Sequence, residues 1–263
     1  MTENSVNVEL SDSGVATVQL NRPDIHNAFD DLLIAELTAA FGGLRDDDSV
    51  RCVVLAANGK SFSAGADLNW MKRMATYDAA ENFADAKALA RLLNDIAVLP
   101  KPVVAAVQGA AYGGGVGLVA ACDIAIASEA AAFSLSEVKL GLIPATISPY
   151  VLRAIGERQA GRYFLSAERF DAVEALRIGL VHQVVAAADL ESAVEAMING
   201  LLKNGPKAMA SAKRLLTDIV HRPIDDALLD DTAQAIADIR KTDEGREGVA
   251  AFLEKRKPGW VGG

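Results

Sequence analysis

Apolar and polar residues alternate through "VNVELSDSGVATVQLNRP", Val6 to Pro23, with an Asp-Ser-Gly break in the middle. A period of two on either side of a turn triplet predicts a β-hairpin, closed by Pro23. The period then lengthens. In "AFDDLLIAELTAAFGGLRDD" the spacing of Leu33, Leu37, Ala40 and Phe41 predicts a helix with one apolar face. "VRCVVLAAN" is a short β-branched run between turn residues and predicts a buried strand. "YDAAENFADAKALARLLNDIAVLP" predicts a long amphipathic helix ending near Pro100, and "KPVVAAVQG" and "DIAIAS" predict two further buried strands. Strands alternating with helices from Val6 to Ser128 point to an α/β fold.

After about Leu190 the texture changes. "LESAVEAMINGLLKNGPKAMASAKRLL" and "IDDALLDDTAQAIADIRKTDEGREGVAAFLEKRKP" carry only the helical period. The expected organisation is a core over residues 1–195 and a helical region over 196–263. The apolar stripes of that second region are broad for a terminal appendage, which suits packing against a neighbouring subunit.

Composition narrows the field. With 263 residues, 51% of them hydrophobic, the chain can bury an ample core. A formal charge of −9 argues against nucleic acid or an acidic membrane surface as partner. A small anionic ligand would need local cations or backbone N–H donors. Cys52 and Cys122 both lie inside apolar runs, as buried reduced thiols of a cytoplasmic protein do. "MTENSVNVEL" lacks the basic and apolar regions of a signal peptide. The stretch from Pro102 to Ala127 is broken by glycines and carries Gln108 and Asp123, so it reads as core and not as a membrane span. His182 and His221 have no Cys, Asp or Glu at ligand spacing, and no metal site is expected.

The stretch "GAAYGGGVGLVAACD" packs five glycines between Gly109 and Gly117. Gly115, Gly117 and Ala120, with Glu137 about twenty residues on, mimic a dinucleotide-binding fingerprint. The mimicry fails on length: the helix available before "DIAIAS" has only about two turns, and a parallel crossover needs a dozen residues or more. Glu137 also lies well past the end of that strand. What remains is an accessible backbone at a helix start, able to point N–H groups at a ligand oxygen. A second loop of this kind is "SFSAGADLNWMK", where Ser63, Ala64, Gly65 and Ala66 leave the main chain open and Asp67 is placed to cap a helix. Two such loops could clamp one carbonyl oxygen between them; each alone also fits a tight packing turn.

At these residues the chain resembles the enoyl-CoA hydratase/isomerase (crotonase) family. "SFSAGADLNWM", "KPVVAAVQGAAYGGGVGLVAACDIAIAS" and "AAFSLSEVKLGLIPA" are similar to its three signature segments. "LNRPDIHNAFD" and "GREGVAAFLEKRKPGW" are similar to its usual beginning and end. The resemblance implies a spiral of ββα units with a C-terminal helical region that assembles homotrimers or dimers of trimers. It implies an acyl-CoA thioester as substrate and no cofactor, coenzyme A being part of the substrate. By position, the N–H groups of Ala66 and Gly114 would form an oxyanion hole for the thioester oxygen. Ala64, Asp67 and Leu68 would lie along the adenine and pantetheine path, and Gly65, Gly113 and Gly117 would also belong to the substrate- and coenzyme-binding residues. Arg22 and His26 would flank the coenzyme, with Lys255 at its 3′-phosphate end; Arg22 and Lys255 equally fit solvated surface charges.

Two-acid hydratases of the family carry one acid in the glycine run and a second about twenty residues later. The second corresponds to Glu137, in the apolar setting "FSLSEVKLGLIP". The first corresponds to Gly117. A single acid leaves two carbon–carbon double-bond chemistries open: a hydratase, which is a carbon–oxygen lyase, or a Δ3,Δ2-enoyl-CoA isomerase moving a proton from C2 to C4. The finer pattern, with Gly117 and with "PATISPY" replacing the glycine-rich stretch usual after the Pro, is similar to bacterial methylglutaconyl-CoA hydratases of leucine breakdown. It is also similar to isohexenylglutaconyl-CoA hydratases of acyclic-terpene breakdown. Both act on 3-branched glutaconyl thioesters, whose distal carboxylate would repel an acid at position 117. Lys72, Arg73, Lys139 and Arg153 are the candidate cations for that carboxylate.

Overall fold

A computed structural model of the chain describes residues 4–261. The hairpin is present: β1 (Val6–Leu10) and β2 (Val15–Leu20) pair antiparallel around Gly14. They open a six-stranded sheet in the order β1-β2-β3-β5-β7-β10, with β3 at Cys52–Ala57, β5 at Val103–Val107, β7 at Ile124–Ser128 and β10 at Gln183–Val185. From β2 onward these strands run parallel. A second sheet, β4-β6-β8-β9, is built from β4 (Ser61–Ser63), β6 (Ala110–Tyr112), β8 (Ala132–Ser134) and β9 (Phe170–Asp171). Each turn of the chain lays one strand in the large sheet, one in the small sheet, and then a helix. This repetition is the expected ββα spiral of an α/β fold.

The small-sheet strands have three residues or fewer, too short for a period of two to register in the sequence. Their presence also changes the account of the glycine run. β5 and β7 are adjacent and parallel, so a crossover does join them. Its length comes from β6 together with the eight-residue α4 (Gly114–Ala121), not from a long helix.

The helices follow their sequence signals closely. α1 (Asp31–Asp46) starts at Asp30, whose side chain accepts from Leu33 N at 2.8 Å, and buries Leu33, Leu37 and Phe41 as the spacing requires. The short α2 (Leu68–Met74) follows. α3 (Ala79–Ala97) opens with a capping box between Asp78 and Glu81 but buries only Leu92, Leu93 and Ile96. α4 is apolar on every side because it is enclosed by neighbours. α5 (Ser148–Ser166) is kinked at Gly156, and α6 (Ala172–Ile178) leads into β10.

α7 (Leu190–Leu201) packs Leu190, Val194 and Ile198 against Cys52, Val54, Val104 and Ile126 of the large sheet. The boundary expected at residue 195 therefore falls inside a helix that belongs to the core; the helical region begins with α8 (Pro206–Ile219) and continues through α9 (Asp226–Lys241) and α10 (Asp243–Leu253). Ile224, Phe252 and Leu253 of this region stay exposed in the single chain. Among the described residues no helix is long and apolar enough to cross a membrane.

Two cations fasten the helical region to the core. The Arg51 guanidinium donates to the carbonyls of Leu202, Asn204 and Trp260. Lys213 Nζ on α8 donates to Asp123 Oδ2 at 2.7 Å and to the carbonyls of Lys101 and Ile96. Burial pushes the Asp123 carboxyl up even against the pull of the Lys213 ammonium. Replacing Lys213 by Met leaves this carboxylate without its cation, a loss of about 3 kcal/mol, read as a lower Tm in neutral buffer. Without the ammonium the carboxyl holds its proton more tightly in the folded than in the unfolded chain. The loss in Tm is therefore expected to shrink as the buffer is made acid.

Candidate active site

The site begins with two consecutive left-handed residues, His26 (φ 56°) and Asn27 (φ 53°). Asn27 is fully buried and stitches its loop to β4: its amide donates to the carbonyls of Asn58 and Ser61, and its side-chain oxygen accepts from Arg22 N. Ser63 Oγ donates to the Asn27 carbonyl at 2.9 Å, His26 Nδ1 lies 3.0 Å from Ser61 Oγ, and Ala64 N donates to the His26 carbonyl. Asn tolerates this backbone region better than most residues, the one sequence signal that could have singled it out.

Phe29 comes next and touches both glycine-bearing loops. Its N–H donates to the Gly65 carbonyl and its carbonyl accepts from Asp67 N, both at 2.7 Å, a parallel bridge opposite Ala66. In such a bridge the residues flanking the partner make the bonds, so the N–H of Ala66 points to the other side. Among the described residues it meets no acceptor, and Ala66 is exposed. Asp67 then caps α2, accepting from Asn69 N and Trp70 N as its position suggested.

On the second loop Gly113 (φ 50°) donates its N–H to the Ser134 carbonyl and receives Val116 N and Gly117 N on its own carbonyl. Gly114 is the first residue of α4, and its N–H has no acceptor among the described residues. A Cβ on Gly114 would come 3.3 Å from the Phe29 ring, so the ring sits directly under this loop.

The loops converge on Glu137. A Cβ on Gly113 would lie 3.2 Å from Glu137 Oε1 and 4.0 Å from Gly65 Cα, and a Cβ on Gly65 would lie 3.3 Å from the Tyr112 carbonyl oxygen. Both glycines have positive φ, which is what favours bare backbone at each, and the contacts around them are tight. Glu137 opens a 3-10 turn over Glu137–Leu140, closed by Gly141 in the left-handed region. Its Oε2 is buried without a hydrogen-bond partner among the described residues. Burial is the main influence on this carboxyl and pushes it up from the ordinary value of 4.5, with a backbone hydrogen bond opposing.

Other expectations fare differently. Arg22 is engaged as a brace, paired with Asp30 at 2.8 Å and donating to the Ala28 carbonyl. Ala64 and Leu68 are exposed beside the first loop. Lys255 is a left-handed residue just past α10, and among the described residues no hydrogen bond links it to the loops of Ala66 and Gly114. Of the cations considered for a distal carboxylate, Arg73 is paired with Asp31. Arg153 lines a cavity of about 400 Å³ with Cys122, His182 and Lys213, at the opposite end of α4 from Gly114. Lys72 and Lys139 are exposed. His182 Nδ1 accepts from Ala125 N, a structural bond. Among the described residues no cluster of His, Cys, Asp or Glu could hold a metal ion.

Position 117 needs a correction. Its glycine is buried, and a Cβ there would lie 2.9 Å from Ile147 Cβ and closer still to Ile147 Cγ2. Charge repulsion by a substrate carboxylate is therefore not required to explain the glycine, because packing alone forbids a side chain. Phe29, Asn27 and Ile147 were not singled out by the sequence reading; each matters through contacts that only folding creates.

Comparisons with known proteins bear on the family and the fold. The sequence profile of the enoyl-CoA hydratase/isomerase family matches residues 11–263. A crystal structure of an enoyl-CoA hydratase from Shewanella pealeana is 48% identical with a TM-score of 0.95, covering 98% of this chain and 97% of that one. The structure of Pseudomonas aeruginosa AtuE is 40% identical with a TM-score of 0.93, covering 98% and 99%. The short-chain-enoyl-CoA hydratase of Clostridium acetobutylicum is 36% identical over 254 residues, 95% of this chain and 96% of the relative. The profile and these relatives lead to one conclusion: the chain belongs to the enoyl-CoA hydratase/isomerase family.

Proposed function

We propose that the chain adds water across the C2=C3 bond of a 3-branched glutaconyl-CoA, with 3-methylglutaconyl-CoA giving 3-hydroxy-3-methylglutaryl-CoA as the leading case. The observation that carries this reading is the meeting of Glu137, its Oε2 unpaired, with two loops that each leave one N–H free, at Ala66 and Gly114. The thioester oxygen lies between those N–H groups. As the carboxylate, Glu137 takes a proton from water while the oxygen of that water bonds to C3. The π electrons move onto C2 and the thioester oxygen, and the resulting enolate is held by the two N–H donors. Glu137 then returns the proton to C2, so that the atoms of one water end up on the product. Each donor of such a hole contributes about 3–4 kcal/mol to the transition state. Ala64 and Leu68 are exposed where the pantetheine arm would run.

The branched glutaconyl class is supported by the resemblance of the Gly117 and "PATISPY" segments to hydratases acting on such thioesters. The isohexenyl homologue is the alternative substrate. The lone acid also supports a second reaction, a Δ3,Δ2 isomerisation in which Glu137 carries a proton between C2 and C4 and no water is consumed.

A hydration assay in ¹⁸O-labelled water with 3-methylglutaconyl-CoA, a geranyl-derived homologue and crotonyl-CoA separates these readings. Label at the C3 hydroxyl of the branched products is expected; a shifted double bond without label would replace hydration by isomerisation. The kcat/KM for hydration is expected to fall as the pH drops through the Glu137 pKa, because the base must be ionised. The midpoint should lie above the ordinary carboxylate value, since burial raises it. Glu137→Gln should cost about 10²–10⁴ in rate and abolish that acid limb. Ala66→Pro deletes one donor and should lower kcat by about 10²–10³. Because it also restrains the backbone, acyl-CoA affinity and Tm are measured on the same variant.

A further inference from the structure

Ser63 stands between the two donor loops. It is the last residue of β4, fully buried, and its register partner in β6 is Ala111. Three positions after Ser63 the chain reaches Ala66, and three positions after Ala111 it reaches Gly114. The strands that deliver the two N–H groups are therefore paired at this residue. The start of α4 rests on it as well. A Cβ on Gly115 would come 2.8 Å from the Ser63 carbonyl oxygen and 3.0 Å from Ser63 Cβ.

The hydroxyl turns toward the first loop. It donates to the Asn27 carbonyl at 2.9 Å, and its oxygen accepts from Gly65 N at 3.5 Å. Gly65 is thus bonded at both ends, because its own carbonyl accepts from Phe29 N at 2.7 Å. That carbonyl and the Ala66 N–H belong to one trans peptide plane and point in opposite directions. Gly65 has a φ of 91° and no Cβ, so the chain itself offers little resistance to a swing of that plane. The Phe29 bond holds the plane, and the Ser63 bond holds the joint about which it turns. Alanine would keep the contact with Gly115; what the hydroxyl adds is the link from Gly65 to Asn27.

We propose that Ser63 is a positioning residue, whose hydroxyl fixes the Gly65 joint and with it the direction of the Ala66 N–H at the thioester oxygen. The inference rests on the two-donor hole of the function proposed above. Ser63 acts through Gly65 and, being buried, makes no contact of its own with substrate. A misdirected donor costs most when the oxygen carries the enolate charge and less when it is a neutral carbonyl. Loss of the hydroxyl is therefore read in enolate stabilisation and kcat, and little in ground-state binding.

The probe is acetoacetyl-CoA, a β-keto thioester whose C2 proton ionises to give an enolate with its own near-ultraviolet absorbance. At one fixed pH and saturating protein, the enolate-to-keto ratio of the bound probe reports the donors directly and needs no turnover. Ser63→Ala should lower that ratio by about ten-fold or more. The Kd of butanoyl-CoA, which forms no such enolate, should change by less than about three-fold. In hydration of 3-methylglutaconyl-CoA, kcat should fall by about ten- to hundred-fold with KM nearly constant. Thermal melting checks that the variant is folded.

An enolate ratio equal to that of wild type, or an equal fold-loss in butanoyl-CoA binding, would overturn the proposal, since a merely structural serine moves both together or neither. If Ser63→Ala does not fold, Ser63→Cys carries the same comparison, its thiol being the weaker donor and acceptor. A wild-type ratio in that variant overturns the proposal equally. Wild-type protein that binds acetoacetyl-CoA with no more enolate than free solution would reject the two-donor hole, and the role of Ser63 with it. Absent hydration by wild type, with the enolate ratios as expected, would reject hydration and still support the role of Ser63.

Discussion

Phe29 is the contact on which the site depends. Its peptide group holds the first loop through Gly65 and Asp67, and its ring lies under Gly114 at the start of α4. One residue thereby sets the spacing between two N–H groups that belong to segments nearly fifty positions apart in the chain. Hydrogen bonds direct the first loop and van der Waals contact supports the second; because Phe29 is 2% exposed, neither competes with water. A pair of donors aimed at one oxygen is useful for catalysis only if it does not have to be assembled at the moment of reaction. Placing the support inside the core meets that condition. The left-handed pair His26 and Asn27 turns the chain sharply enough to bring Phe29 there, with the Asn27 side chain bonded on three sides.

Glu137 sits where burial and reactivity are the same property. A carboxyl taken out of water and given no cation holds its proton more tightly, which suits the proton exchange proposed for it. Among the described residues Glu137 has no ion pair, in contrast to Asp123, which is also half-buried but bonded to Lys213 and Val103 N. The protein thus treats two half-buried acids in opposite ways. Asp123 fastens α8 to the core, whereas Glu137 is left unpaired at the meeting point of the loops.

The net charge of −9 bears on the same point. An acyl-CoA is itself an anion, so long-range attraction does not draw it in. On the proposed function, recognition falls to short-range donors and to backbone laid open by small residues. That is consistent with a first loop in which Ala64 and Ala66 are exposed while Gly65 is buried against Tyr112.

The sequence by itself determined the α/β class, the hairpin, the long helices and their caps, because periodicity and capping are local and each is written within a few residues. It also pointed to Glu137, Ala66 and Gly114, since their segments resemble those of a known family. It did not show the three-residue strands of the small sheet, which are too short to carry a period. It placed the domain break inside α7, because an amphipathic helix looks the same whether its partner is a sheet or another subunit. It assigned Gly117 to electrostatics, and Arg22 and Arg73 to ligand contact or free surface, before their partners were known. Tertiary structure alone decided that Ile147 fills the room beside Gly117, that Asp30 and Asp31 occupy those arginines, and that Phe29 joins the two loops. The reason is common to all of these: they are contacts between residues distant in the chain or facing each other across a turn, and no local pattern encodes which surfaces meet.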